Sequence, residues 1–423
     1  MRRRFVAVAV LPAALLAGAA SGAGSQQRFV MGSAVYPMPD VASPAKGKTV
    51  RDPVFSTRIV RVTDKARDRY RDKGIENEYA RSDPENKDGT LLVLRGTEAN
   101  WELYDARSFK RVKLLTSLGD SQEAEPRWDF RNAGVLYHLR DMKLLTLDVR
   151  SGREAVVHDF RPQFPKYAYI GTGSEGDASL DRRYWCFGIK DAKWQVRAVV
   201  VYDRVDNRIV GTKTSIERPI DSSTMDMSGR HCVLQYDNGD TRVYTRTFST
   251  VVTLPAGSAG HADVARTAAG RDVLVYQDVK TDWVAMADLD TGAETRLLHI
   301  PFGVNADIGL HFSGNLAAKG WVLVSTYGAR EPPAEQAHSW MDRQLFMLEL
   351  KPQPRIWRVA HTNAILSVSP DEEKHYFAEA FAAVTTRGTK IYWGSNWGQT
   401  DLDRVETYAA LLPERWWTKL PSR

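Results

Sequence analysis

The sequence predicts an all-β fold: a seven-bladed β-propeller of four-stranded blades, closed by an N-terminal strand. Three observations predict it. Helical periodicity is almost absent after the N-terminal apolar run. Short runs rich in Val, Ile, Leu, Tyr and Trp instead recur between Asp-Gly, Asn-Gly and Ser-Gly turn signals. One frame then repeats seven times: an acidic or polar start, a short strand, a turn, an aromatic strand and further strands.

The frame is clearest from Ala124 (AEPRWDFRNAGVLYHLRDMKLLTLDV) and from Ala378 (AEAFAAVTTRGTKIYWGSNWG). Its seven starts are Tyr79, Glu125, Glu175, Asp221, His261, His311 and Glu379, with steps of 46, 50, 46, 40, 50 and 68 residues. A period of 40 to 50 residues with four strands per unit is the propeller signature. Each unit has two apolar faces and cannot stand alone, so neighbours must cover them until the ring closes. Length is no obstacle, because closed β architectures carry 423 residues as one unit.

Taken from the N-terminus, three arginines, Arg2 to Arg4, precede an apolar run from Phe5 to Ala20 and then small residues. That is the pattern of a secretory signal spanning residues 1–23, cleaved after Ala19 or Ala23, and it places the chain in a periplasm or outside a cell. The run is short and rich in Ala and Gly, which disfavours a spanning helix, and no later stretch reaches membrane length. Losing those arginines lowers the formal charge from +6 to +3. With no basic block or stripe, nucleic acid is excluded as a partner, whereas local arginines suit an acidic polysaccharide or oligosaccharide.

Residues 24–53 read as an extended leader, and residues 54–423 as the propeller. A ring must seal the edge where its ends meet. VFSTRIVRVTD, Val54 to Asp64, is the strand expected to complete the blade that starts at Glu379. Cys186 and Cys232 sit at similar places in successive units; an oxidising compartment permits pairing, but strands of neighbouring blades are expected to lie too far apart, leaving two buried thiols. Insertions follow Tyr327 and Val359, and the C-terminal LLPERWWTKLPSR is expected on the rim. Nothing points beyond a monomer.

In a propeller the first strand of each blade lines the channel, so the seven starts converge at one mouth. There the sequence places Tyr79, Arg81, Glu125, Arg127, Glu175, Asp177, Asp221, His261, Asp263, His311 and Glu379, with His361 on a nearby loop. Such a lining can simply solvate a water-filled channel; two histidines at equivalent positions of adjacent blades argue for more. Two chemistries fit. His261, Asp263, His311, His361 and Glu379 could hold a divalent cation, Mn, Ca or Zn. Alternatively His261, His311 and Tyr79 move protons while Arg81 or Arg127 neutralises a substrate carboxylate, with His138 as a further candidate or a satisfied core histidine. That second set is what β-elimination from a uronic acid needs: a cation to acidify the C5 proton, a base to take it and an acid for the leaving oxygen.

Other constellations are weaker. GTGSEGD, from Gly171, neither follows a βαβ pattern nor opens a helix and reads as a loop, and there is no HExxH, CxxC or GxSxG motif. Trp101, Trp185, Trp194, Trp283, Trp340 and Trp393 could stack on sugars, although most propeller tryptophans fill the space between blades.

At EPRWDFRNAGVLYH, GHADVARTAAGRDVLVYQD, LHFSGN and EAFAAVTTRGTKIYWGSNWG the chain resembles bacterial propellers of the TolB-like and oligogalacturonate-lyase type. The resemblance implies a seven-bladed ring with a His-rich metal site in the channel mouth, or His, Tyr and Arg acting on uronate linkages. His261, His311 and His361 would be the metal or acid–base histidines, and Arg81 or Arg127 the carboxylate binder. The Gln-x-x-His-x-His cluster of the oligogalacturonate lyases is absent, so neither a pectin-derived substrate nor manganese follows. The rival expectation is a non-catalytic TolB-like propeller that binds a protein or glycan with its rim loops; a hydrolase or metal-dependent oxidase comes third.

Overall fold

A computed structural model describes residues 28–422, apart from 256, 259, 301–307, 329–338, 367–375 and 400–403. The expected export signal lies outside the described residues, as does part of each long insertion. The chain forms the expected ring of seven antiparallel blades. Blade 1 consists of Ile75–Glu76, Leu91–Gly96, Trp101–Asp105 and Arg111–Leu114. Blade 2 follows with Arg127–Trp128, Val135–Arg140, Lys143–Asp148 and Glu154–Asp159. Blade 3 is Tyr169–Gly171, Tyr184–Lys190, Val196–Asp203 and Arg208–Lys213, and blade 4 is Ile220–Met225, His231–Tyr236, Thr241–Thr245 and Val251–Thr253. Blade 5 comprises Ala262–Arg266, Asp272–Asp278, Trp283–Asp288 and Glu294–His299. Blade 6 comprises Ile308–Ser313, Trp321–Gly328, Gln344–Glu349 and Ile356–His361.

Blade 7 joins the two ends of the chain. Its inner strands are Ala383–Val384, Lys390–Ser395 and Glu406–Leu411, and its fourth is Arg58–Arg61, paired antiparallel with the last so that Ile59 faces Ala410 and Val60 faces Ala409. Side chains alternate across a strand. Ile59 therefore packs into the apolar cluster shared with blade 6 and Val60 into the one shared with blade 1. The same alternation runs through the ring: Leu92 and Leu94 pack toward blade 7, Val93 toward blade 2. Each of the seven junctions holds an apolar cluster of its own.

The leader adds strands to two blades. Val30–Met31 adds a fifth strand to blade 6 and Thr49–Arg51 a fifth to blade 7. At the other terminus Trp416 is fully buried, 4.7 Å from the Trp357 ring and 5.2 Å from Trp321, and its Nε1–H donates to the Gly388 carbonyl. Outer hairpins share one device. The carboxylates of Asp105, Asp148 and Asp288 each accept backbone N–H groups two and three residues on, plus the hydroxyl of Ser108, Ser151 or Thr291. No helix among the described residues is long and apolar enough to cross a membrane.

The two cysteines correct the sequence expectation, because Cys186 and Cys232 form a disulfide between blades 3 and 4, with Cα atoms 5.7 Å apart. Small residues permit that approach. A Cβ on Gly176 would meet the Ser223 carbonyl oxygen at 1.9 Å, and one on Gly211 would meet the Arg246 carbonyl oxygen at 2.1 Å. Ser223 Oγ in turn donates to the Cys186 carbonyl at 3.0 Å. The bond closes a loop with a sequence separation of 46, for which loop-closure entropy gives up to about 4 kcal/mol. Replacing both cysteines with Ala should lower the denaturant midpoint by a corresponding amount and make it insensitive to reductant. An unchanged midpoint would show that the junction holds without the bond.

Candidate functional site

Four blades meet at one channel mouth. Tyr79 follows the first strand of blade 1, His261 immediately precedes that of blade 5, His311 lies within that of blade 6, and Glu379 precedes that of blade 7. His311 is the centre. Its Nε2 lies 3.1 Å from Glu379 Oε2; its Nδ1 lies 3.2 Å from His261 Nδ1 and 3.4 Å from the Tyr79 hydroxyl.

An ionised carboxylate only accepts hydrogen bonds, so Glu379 places the His311 proton on Nε2 and leaves Nδ1 as an acceptor. His261 Nδ1–H then donates to that acceptor, and His261 Nε2 becomes the unprotonated nitrogen. Both rings are neutral. Burial pushes each down to about 3, aided by His311 itself in the case of His261 and by Arg81 in the case of His311. Burial likewise pushes the Tyr79 hydroxyl well above its ordinary value, so it stays a donor. Phe381, 4.6 Å from His311 and 5.1 Å from Tyr79 between ring centroids, supplies the apolar wall.

Tyr327, which the sequence reading missed, completes the group. It is partly exposed, its ring stacks on His311 at 5.1 Å and 21°, and its hydroxyl bonds to Glu379. Gly309 sits opposite it in the strand register, where a Cβ would meet the Tyr327 ring at 2.0 Å. A glycine facing an aromatic across a strand pair was the available signal.

Arg81 crosses the channel from blade 1. It donates to Gln235 Oε1 at 2.8 Å and to the carbonyl of Gly260, the residue before His261, at 2.8 Å, and it pairs with Glu175 at 3.0 Å. Guanidinium and imidazole are thus neighbours, and the Glu175 side chain is 28% exposed.

Other expected residues lie elsewhere or are committed. Arg127 donates twice to the Gly176 carbonyl, to the Pro126 carbonyl and to Glu78, which ties blades 2 and 3 together. The GTGSEGD loop wraps the Glu125 carboxylate, which accepts from the Thr172 and Ser174 backbone N–H groups. His138, on the second strand of blade 2, lies 2.9 Å from Glu154 on the outermost strand of its own blade. Asp263 accepts from the Val264 and Gly314 N–H groups, and burial pushes its carboxyl up to about 7. His361 ends the fourth strand of blade 6, where Nδ1 lies 2.8 Å from Asp52 Oδ2 and the ring stacks on Phe55.

The five-residue metal set does not converge. His261 and Glu379 occupy opposite nitrogens of His311, Asp263 is held by backbone groups, and His361 anchors the leader. Among the described residues, no group of three or more His, Cys, Asp or Glu side chains is arranged to hold an ion. The residues therefore do not fit the expected metal, and no chemistry is routed through one.

No family model and no curated protein matches the chain. Among the solved structures that resemble it are two lyases. An oligogalacturonate lyase from Vibrio parahaemolyticus superposes with a TM-score of 0.57 at 11% identity, covering 88% of this chain and 99% of that one. An oligogalacturonate lyase in complex with manganese gives 0.55 at 14%, covering 88% and 100%. At these identities the likeness shows the fold: the chain shares the seven-bladed propeller architecture of these structures.

Proposed function

We propose that the protein is a polysaccharide lyase that cleaves a uronic-acid-containing glycan by β-elimination at the channel mouth, in a periplasm or outside the cell. The observation that carries this reading is the Glu379–His311–His261 chain, a relay of neutral imidazoles with fixed tautomers beside the Arg81 guanidinium. The N-terminal signal pattern and the disulfide support the compartment. The fold neighbours, themselves lyases, support the reaction class.

In the proposed reaction the substrate carboxylate replaces Glu175 on Arg81, which acidifies the C5 proton. The bound carboxylate and the negative charge that develops at C5 lie beside His261 and raise its basicity above that of the empty site, and His261 Nε2 takes that proton. The C5–H electrons form the C4–C5 double bond, the C4–O4 bond breaks, and the Tyr327 hydroxyl protonates the leaving oxygen. His311 and Glu379 hold His261 in the reactive tautomer, and Tyr79 positions His311. The proton gained by His261 and lost by Tyr327 is then re-equilibrated through solvent.

Ultraviolet absorbance of the unsaturated uronate product tests this on pectin, ulvan, glucuronan and gum arabic. His261→Ala and Arg81→Ala should each lower kcat/KM by about 10²-fold or more. His361→Asn should lower thermal stability and leave the rate per folded molecule intact. Absence of product on every polymer, with binding retained, would favour a non-catalytic glycan binder.

The pH profile is a separate check. Because both imidazoles of the free protein are already neutral far below their ordinary value, kcat/KM should show no imidazole limb between about pH 5 and pH 8. An inflection near the ordinary histidine value of about 6.5 would contradict the buried relay.

A further inference from the structure

A second concavity lies on the same face of the ring, between blades 2 and 3. The inner strand of blade 2 starts at the mouth, and its antiparallel partner runs back to end at Arg140, so the Arg140–Asp141 turn returns to that face. Blade 3 does the same: Tyr169 begins its inner strand opposite Lys190, and the turn carrying Trp194 follows. Between these turns and the Thr116–Ser121 segment lies a cleft of about 420 Å³, within the roughly 300–1,000 Å³ range of small-molecule sites.

One wall is an aromatic platform. The Trp194 and Tyr169 rings lie parallel within 3°, 4.0 Å between centroids. Trp194 is 45% exposed and its backbone has φ +64°, a region a bulky residue rarely adopts. An exposed aromatic held flat by a stacking partner presents apolar surface at the cleft wall, the kind of surface on which the apolar face of a sugar ring packs. This departs from Trp101, Trp185 and Trp393, which are buried between blades.

The charges at the cleft select its occupant. Arg140 is engaged by both oxygens of Glu154, and Lys190 pairs with Glu123 at 3.2 Å while its ammonium lies 5.5 Å from the centroid of the Trp194 ring. Exposed Asp120 has no ion-pair partner among the described residues, and Asp141 meets only the half-exposed Arg161 at 3.4 Å. The uncommitted charge is therefore negative. Carboxylates accept hydroxyl hydrogens and repel a uronate carboxylate.

We infer that this cleft is a carbohydrate subsite that takes a neutral sugar residue, stacked on Trp194 and hydrogen-bonded through its hydroxyls to Asp120 and Asp141. Joined to the proposed uronate chemistry at the mouth, on which this extension rests, it makes the substrate a heteropolysaccharide containing both neutral sugars and uronates.

Affinity electrophoresis and calorimetry of the full chain test it with gum arabic and ulvan, which carry neutral sugars, against polygalacturonate, which does not. Trp194→Gly is the probe, since glycine adopts φ +64° without strain and keeps the turn. The variant should bind gum arabic or ulvan at least about 10-fold more weakly, with binding to polygalacturonate unchanged. Equal affinity of variant and wild type for all three, or no binding of gum arabic or ulvan by the wild type, would overturn the inference. Loss of binding in the variant without any elimination product from the wild type would sustain the subsite and sink the lyase reading. Product formation with affinity and KM unaffected by Trp194→Gly would do the reverse.

Discussion

Everything in this structure depends on one short strand pairing. Arg58–Arg61 hydrogen-bonds to Glu406–Leu411 and turns a linear array of sheets into a ring. A row of blades left open would expose two apolar faces and an unpaired edge. Closure buries Ile59 on one side and Val60 on the other, so four residues seal the junctions of blade 7 with both its neighbours. The fifth strands from the leader and the buried Trp416 plug protect the same seam.

Closure also assembles the site. Tyr79, His261, His311 and Glu379 come from four blades spread over most of the chain, and their contacts of 3.1–3.4 Å exist only because the ring fixes the inner strands around one axis. Burial inside that rigid mouth does the chemical tuning. It removes solvent from two imidazoles, holds them neutral, and lets a single carboxylate dictate where their protons sit. Arg81 is charged at the same depth because Glu175, Gln235 and the Gly260 carbonyl satisfy it.

The ring was legible in the sequence because strand periodicity and turn chemistry are local properties, repeated seven times. The convergence of His261, His311, Tyr79 and Glu379 was legible too, since each stands at a blade start. What the sequence concealed was radial position and commitment. His361 sits at the end of a fourth strand, far from the axis, and closes on Asp52 of the leader, whose place in the ring a single sequence does not reveal. Arg127 occupies the expected blade start, yet its donors are spent on the Gly176 and Pro126 carbonyls and Glu78, contacts that no spacing rule encodes. The disulfide was misjudged for a similar reason. Reach between blades depends on which residues face each other, and at this junction, where Gly176 lies against the Ser223 carbonyl, the two cysteine Cα atoms stand 5.7 Å apart.

The central claim is that ring closure produces a neutral, tautomerically fixed His311 between Glu379 and His261. Site-assigned nitrogen NMR of the His311 imidazole tests it most directly. The account predicts a protonated Nε2, a bare Nδ1 and no change between pH 8 and about pH 5. A ring that becomes cationic near its ordinary value of about 6.5, or that carries its proton on Nδ1, would contradict it.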